Sequence, residues 1–223
     1  MRSIVIGLGE TGGPLRNVLD CDGYDKRWGE LPDGSFDVLN ICIPYHELFI
    51  NDVVKYQKIF YPKLVIIHTT VPIGTTSKIP NAVHSPILGM HDDMEASIRK
   101  YTKWIGGPKA NEAAGYLRES GINCRTVETS EETEALKLIC LAKYGMSIAF
   151  AKYTERLARH YKFSMVDIIE WDSNYNEHVM GHLRRPLIVP KDGKIGGHCV
   201  IQNTRLLNEQ HPNPMLQEVL AYG

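Results

Sequence analysis

Apolar residues along this chain follow two rhythms. In the first half they gather in short, mostly apolar runs: "SIVI" (3–6), "DVLNICI" (37–43) and "LVIIH" (64–68), four to seven residues long and rich in β-branched types. Runs of this kind, stopped by Gly7, Pro44 and "TTVPIGTT", predict strands buried on both faces of a parallel sheet. Shorter strands are predicted at 82–85, 102–106 and 122–127. A short helix opens at Gly12-Gly13-Pro14, and further helices are expected over 47–60 and 109–120. Strands alternating with helices read as βαβ units.

From Thr129 the rhythm changes. Ala135, Leu138, Ala142, Met146, Ala149, Tyr153 and Leu157 recur every three or four residues, and no proline intervenes before residue 161. This predicts one amphipathic helix of about 30 residues, against a usual mean of ~11–12. Thr129 and Glu132 have capping-box spacing at its start. A further helix near 165–171 and a Pro- and Gly-rich segment, 181–198, follow. The fold class is α/β: a mostly parallel sheet domain over 1–127, then a smaller all-helical domain over 128–223 built on the long central helix. An apolar stripe of that length predicts an interface, and a homodimer through the long helix is expected.

Composition narrows the function classes. The 223 residues are 43% hydrophobic and 23% charged, with a formal net charge of −1. No basic patch points to nucleic acid or a membrane surface. No apolar run approaches the ~18 residues of a spanning helix. The chain opens directly on a strand, without signal-peptide anatomy. Its five cysteines (21, 42, 124, 140 and 199) contain no CxxC pair. Free thiols in a reducing cytoplasm are expected, with Cys42 and Cys140 in the core. His178, His182 and His198 lack companion carboxylates or cysteines at ligand spacing, so no metal is expected.

The first strand runs into Gly7-Leu8-Gly9-Glu10-Thr11-Gly12, a G-x-G-x-x-G pattern placed between a strand and a helix. That context marks a dinucleotide site of the Rossmann type. The first glycine makes the turn, the second admits the pyrophosphate, and the helix N-terminus carries its charge. The acid that accepts from the ribose diol is read as Asp25, with Asp22 second. Gly7 and Asp25 are 18 residues apart, where about 20 residues beyond the fingerprint is usual, so the first helix or second strand is trimmed. NAD is the expected cofactor. NADP is the alternative, because Lys26 and Arg27, which follow at once, offer cations to its 2′-phosphate.

Four segments, "ICIP" (41–44), "TTVPIGTT" (69–76), "EALKLICLAKYGMSIAF" (134–150) and "GKIGGHC" (193–199), occur in an order similar to that of the nucleotide-sugar dehydrogenases. These are the UDP-glucose and GDP-mannose dehydrogenases of the 6-phosphogluconate dehydrogenase-like superfamily. The resemblance implies NAD along Ile43, Pro44, Thr70 and Val71, with Thr70 beside the nicotinamide. It implies a catalytic lysine at Lys137 and a covalent thiol at Cys199. "HSPILGMH" (84–91) resembles a segment of prephenate-type dehydrogenases and nominates His84, and also His91, for the substrate.

Departures from the pattern shape the expectation. The family's glutamate, asparagine and aspartate fall at Ile87, Leu141 and Asn203. The chain ends at Gly223, leaving no room for the domain that binds the nucleotide of a sugar substrate. The expected activity is hydride transfer between NAD(P) and a small polar alcohol or carbonyl compound, with two-electron chemistry favoured and Cys199 as nucleophile if a covalent route operates. The alternative is a non-catalytic dinucleotide-binding or scaffold protein on the same fold.

Overall fold

The computed structural model describes every residue except Met90, Gly196 and Gly197, and the side chains of His91, His182 and His198 also lie outside the described set. The substrate role nominated for His91, and the His198 neighbour of Cys199, therefore fall outside the described residues.

Seven strands form one sheet in the order β2-β1-β3-β4-β5-β6-β7. They are β1 Ser3–Ile6, β2 Asp22–Tyr24, β3 Val38–Ile41, β4 Leu64–Ile67, β5 Ala82–His84, β6 Lys103–Gly106 and β7 Cys124–Val127. β1 to β5 pair in parallel, β6 joins β5 antiparallel through His84 and Gly106, and β7 runs parallel to β6. Every residue of β1, β3 and β4 is buried, which is why those segments carry no polar alternation.

Alternate residues of each strand enter opposite cores, as the pleat requires. Val5, Val38, Leu64, Ile66 and Val83 pack with residues of α1 (Gly12–Leu19), α3 (Met94–Lys100) and α4 (Ala110–Glu119). Ile4, Ile6, Leu39, Ile41, Val65 and Ile67 pack with Phe49, Val53 and Phe60 of α2 (Phe49–Phe60). The sheet is thus covered on both faces, the arrangement that brings cofactor sites to strand ends.

Two compact units divide the chain, Met1–Lys137 and Leu138–Gly223. The division falls inside α5, Ser130–Tyr161, a helix of 32 residues. Thr129 caps it, accepting from the Glu132 amide at 3.2 Å. Downstream lie α6 (Met165–His178), α7 (His198–Gln210) and α8 (Pro214–Leu220). Within the second unit Ala149 of α5 packs with Ile195, Val200 and Val219.

Several expectations need correction. Tyr153 is exposed, not part of the buried stripe of α5, while Gly145 and Lys152 are buried. A stripe through 138, 142, 145, 149 and 152 keeps the helical period but admits a glycine and a lysine, which apolar periodicity cannot detect. Cys140 is exposed on α5 and is not a core residue. α6 runs past 171 to His178, held at its start by a reciprocal capping box between Ser164 and Asp167.

Candidate functional site

The glycine turn is built by close backbone approach. Gly7 leaves β1 with φ +90°, and its amide donates to Tyr24 O of β2 at 2.8 Å. A Cβ on Gly7 would stand 2.9 Å from the Cys42 carbonyl carbon and the Ile43 amide nitrogen, and one on Gly12 would stand 1.8 Å from Gly7 O. The turn is folded onto itself and onto the end of β3, and no side chain fits at either position. Gly9 is different: a Cβ there would meet nothing within 4 Å. Its exposed backbone faces open space at the head of α1, whose first turn holds no acidic residue. Leu8, Glu10 and Thr11 complete the turn, with Glu10 exposed. A cradle closed behind and open in front, beside a helix N-terminus, fits a pyrophosphate.

The position is also right topologically. β3 lies on one side of β1 and β2 on the other, so the chain reverses direction between β1 and β3. Ligands of open α/β sheets bind outside the carboxyl ends of the strands at such a switch point. Ile43 (half-buried), exposed Pro44, half-buried Thr70 and buried Val71 stand just past the ends of β3 and β4. The Thr69 hydroxyl ties those two ends together, donating to Ile43 O at 2.7 Å.

Asp25 sits one residue beyond β2, only 8% exposed. Its carboxylate is fully engaged. Oδ2 accepts from the Leu8 amide at 2.9 Å and Arg27 Nη2 at 2.8 Å. Oδ1 accepts from the Arg27 amide at 3.0 Å and Arg27 Nε at 2.8 Å. The Arg27 guanidinium, with these amides, holds the carboxyl far below the usual carboxylate range despite its burial. Asp25 thus clamps the glycine turn to the end of β2. Asp22, the second choice, is exposed and pairs with Arg2.

At the far side of the strand ends lies a group of buried polar side chains. His84, the last residue of β5, has both ring nitrogens occupied: Nδ1 by the Thr133 hydroxyl at 2.8 Å and Nε2 by Thr69 O at 3.1 Å. Burial pushes its pKa down to about 3. The neutral ring holds its proton on Nε2, because Thr69 O can only accept. This placement fits a brace for the loop after β4 better than a substrate ligand. Lys137 Nζ donates to Ile87 O at 2.8 Å. Ile87 itself is buried in the core with α1, α3 and α4, so no carboxylate stands where the resemblance expects a glutamate.

Sequence reasoning missed three supports of the site. Glu134, fully buried, accepts from the Gly74 amide at 2.6 Å and the Thr76 amide at 2.8 Å. It fixes the "TTVPIGTT" turn to α5, and its position three residues before Lys137 was the available signal. Lys103, on β6, donates to Ser85 O at 2.5 Å and Pro86 O at 3.3 Å. With Lys137 it holds the Ser85–Ile87 carbonyls. Burial lowers its pKa to about 7. A lysine inside an apolar strand was the signal. His68 accompanies it, with Nε2 donating to Asn40 Oδ1 and Nδ1 facing Ser85 O, each at 3.0 Å.

The second unit holds the other candidate. Cys199 lies in the first turn of α7 and is half-buried. Asn203, one turn on, donates through Nδ2 to Cys199 O at 2.7 Å. Buried Lys152, the third missed support, donates to the carbonyls of Lys191 and Gly193 and so anchors the segment leading to the thiol. Among the described residues no group of three His, Cys, Asp or Glu side chains could hold a metal ion.

No protein-family model and no curated protein sequence matches the chain. Solved structures do. UDP-D-ManNAc dehydrogenase from Pyrococcus horikoshii superposes with a TM-score of 0.84 at 20% identity, over 100% of this chain and 68% of that one. The chain has the fold of the nucleotide-sugar dehydrogenases. 3-Hydroxyisobutyrate dehydrogenase from Mycobacterium tuberculosis gives a TM-score of 0.75 at 15% identity, over 99% of this chain and 92% of that one. GDP-mannose dehydrogenase from Pseudomonas aeruginosa gives 0.63 at 15% identity, over 99% and 68%. No helix among the described residues is long and apolar enough to cross a membrane.

The buried bases beneath the site make stability depend on pH. Lys103 falls from 10.5 to about 7, so between these values the unfolded chain binds a proton that the folded chain does not. Stability therefore rises with pH across that window, by at most about 1.4 kcal/mol per pH unit from this group. Urea unfolding of the wild type should show a rise from pH 7 to 8.5, and Lys103→Met should flatten it. A wild-type curve that falls over this range would refute the burial of a neutral amine.

Proposed function

We propose that this protein is an NAD(P)-dependent dehydrogenase acting on a small polar alcohol or carbonyl compound. The observation that carries this reading is the glycine turn, closed against β3 at Gly7 and Gly12 and open in front of Gly9, at the switch point of the sheet. The turn and the head of α1 bind the pyrophosphate, and the end of β2 receives the adenosine ribose. Ile43, Pro44, Thr70 and Val71 line the dinucleotide toward its nicotinamide, which when bound accepts or returns a hydride. Lys137 supplies positive charge for the substrate oxygen, polarising a carbonyl or stabilising an alkoxide. His84, Glu134 and Lys103 hold the loops on which that geometry depends.

The chemistry is two-electron. With Ile87, Leu141 and Asn203 at the polar family positions, the chain lacks the carboxylates that a hydrolytic second stage uses. Cys199 is the nucleophile for a covalent route. Its sulfur adds to an aldehyde carbon as the carbonyl π bond opens, and the thiol proton passes to the oxygen. The competing reading, a dinucleotide-binding scaffold without turnover, draws on the paired ring of His84 and the buried Ile87.

Assembly belongs to the same proposal. No residue of α6 is buried, and Trp171, Phe150 and Tyr161 are exposed large hydrophobics of the second-unit helices. Such surface marks an interface, and we assign it to a two-fold homodimer.

Three outcomes are expected. Tryptophan fluorescence should report saturable binding of NAD or NADP, and Gly9→Val should weaken it at least about tenfold by filling the cradle; no binding of either dinucleotide would remove the dehydrogenase reading. Iodoacetamide should label Cys199 faster than Cys42, which packs against the core and whose thiol is raised to about 12 by desolvation. Equal labelling rates would end the covalent role. Light scattering should give about twice the 25.2 kDa chain mass, and a monomer at micromolar concentration would exclude the dimer.

A further inference from the structure

We infer that Arg27 is a 2′-phosphate receptor, so that the chain takes NADP in preference to NAD. This rests on the dehydrogenase reading and deepens it. Selection of NAD at the end of a second strand needs an open carboxylate that accepts from the ribose diol and repels a phosphate. Asp25 stands at that place, but its two oxygens accept four hydrogen bonds from Leu8 and Arg27. A carboxylate offers about four acceptor sites, so none remains for a hydroxyl. It is also only 8% exposed, which closes the approach from outside. Its charge is met by a bidentate guanidinium in an ion pair at 2.8 Å. A phosphate is therefore not repelled there.

Arg27 is the group that Asp25 presents. Its side chain is 57% exposed. Nε and one N–H of Nη2 bind Asp25, leaving three of its five N–H groups directed elsewhere. Among the described residues those groups meet no protein acceptor. The guanidinium also lies over the ring of Trp28 at 4.4 Å. Pinned at one edge and stacked on one face, the fork is held before any ligand arrives. Arginine's planar fork then recognises phosphate by paired hydrogen bonds at little further entropic cost. Exposed Lys26 adds a second cation beside it. The salt bridge thus turns an acid position of the usual dinucleotide unit into a cationic one.

The test is calorimetric titration of the intact chain with NADP and NAD. NADP is expected to bind at least about tenfold more tightly, as charge-assisted paired bonds imply. Adenosine 2′,5′-bisphosphate should compete where adenosine 5′-monophosphate does not. Arg27→Gln should weaken NADP binding about tenfold or more and change NAD binding little. Since losing Arg27 uncovers a buried carboxylate, Arg27→Lys is the second variant: it keeps charge without the fork and should fall between. In the wild type, raising salt from about 0.05 to about 0.3 M should weaken NADP more steeply than NAD. NAD binding equally or more tightly than NADP would overturn this inference and leave the dehydrogenase reading standing. Equal weakening of both dinucleotides in Arg27→Gln would also overturn it. Binding of neither would remove both.

Discussion

Backbone packed against backbone at the end of β1 is the constraint on which the rest of this site depends. A Cβ on Gly12 would come within 1.8 Å of Gly7 O, and one on Gly7 within 2.9 Å of β3's exit. Because nothing fits there, α1 begins close under the sheet edge, and its N–H groups point at the crevice. The approach also brings the Leu8 amide within 2.9 Å of Asp25. A shortened α1 of eight residues and a β2 of three follow from the same tight loop. The compression shows as an 18-residue step from Gly7 to Asp25, and it puts the carboxylate against the turn. An acid used to hold the turn cannot also serve a ribose, and Arg27 is the result of that conflict.

A second layer of polar groups supports the strand ends from below. Asn40 donates to the Tyr116 hydroxyl at 3.0 Å and accepts through Oδ1 from His68 Nε2 at 3.0 Å; the amide oxygen can only accept, so the His68 proton lies on Nε2. With that proton assigned, His68 Nδ1 has no proton to give Ser85 O while burial keeps the ring neutral. Lys103, at 2.5 Å, is then the donor that satisfies this carbonyl. Buried polar groups without partners are costly, so each member of the chain is justified by the next. The loop that carries Thr70 and the start of α5, which carries Lys137, rest on this network and on Glu134, not on apolar packing alone.

The sheet was legible because its central strands are buried on both faces, and continuous β-branched runs such as "LVII" have few other uses. The long helix was legible because 32 residues sample its period many times. α3 and α8 span seven residues each, too few for a period to emerge. For α8 a local signal did exist: Asn213 caps the helix and Pro214 opens it, the asymmetry that marks helix starts. The site was legible as far as the glycine turn, since its residue types are dictated by backbone geometry. Arg27 as the partner of Asp25 was not, because two adjacent charges in a sequence do not reveal whether they bind each other or a ligand. Lys152 was hidden for a related reason: its aliphatic stem lies in an apolar stripe while its amine reaches two carbonyls.

The three positions at which the resemblance expects a glutamate, an asparagine and an aspartate are not equivalent in this structure. Ile87 is part of the core beside α1, α3 and α4, so restoring a glutamate there would bury a carboxylate among apolar side chains. Asn203 keeps a polar contact, but it is spent on the Cys199 carbonyl within α7. Leu141 is half-buried on α5 and offers no proton. Positions 87 and 203 thus hold no carboxylate that could activate water. Under the dehydrogenase reading proposed here, that physical shortage, more than any resemblance, favours a two-electron reaction over one that ends by hydrolysing a thioester.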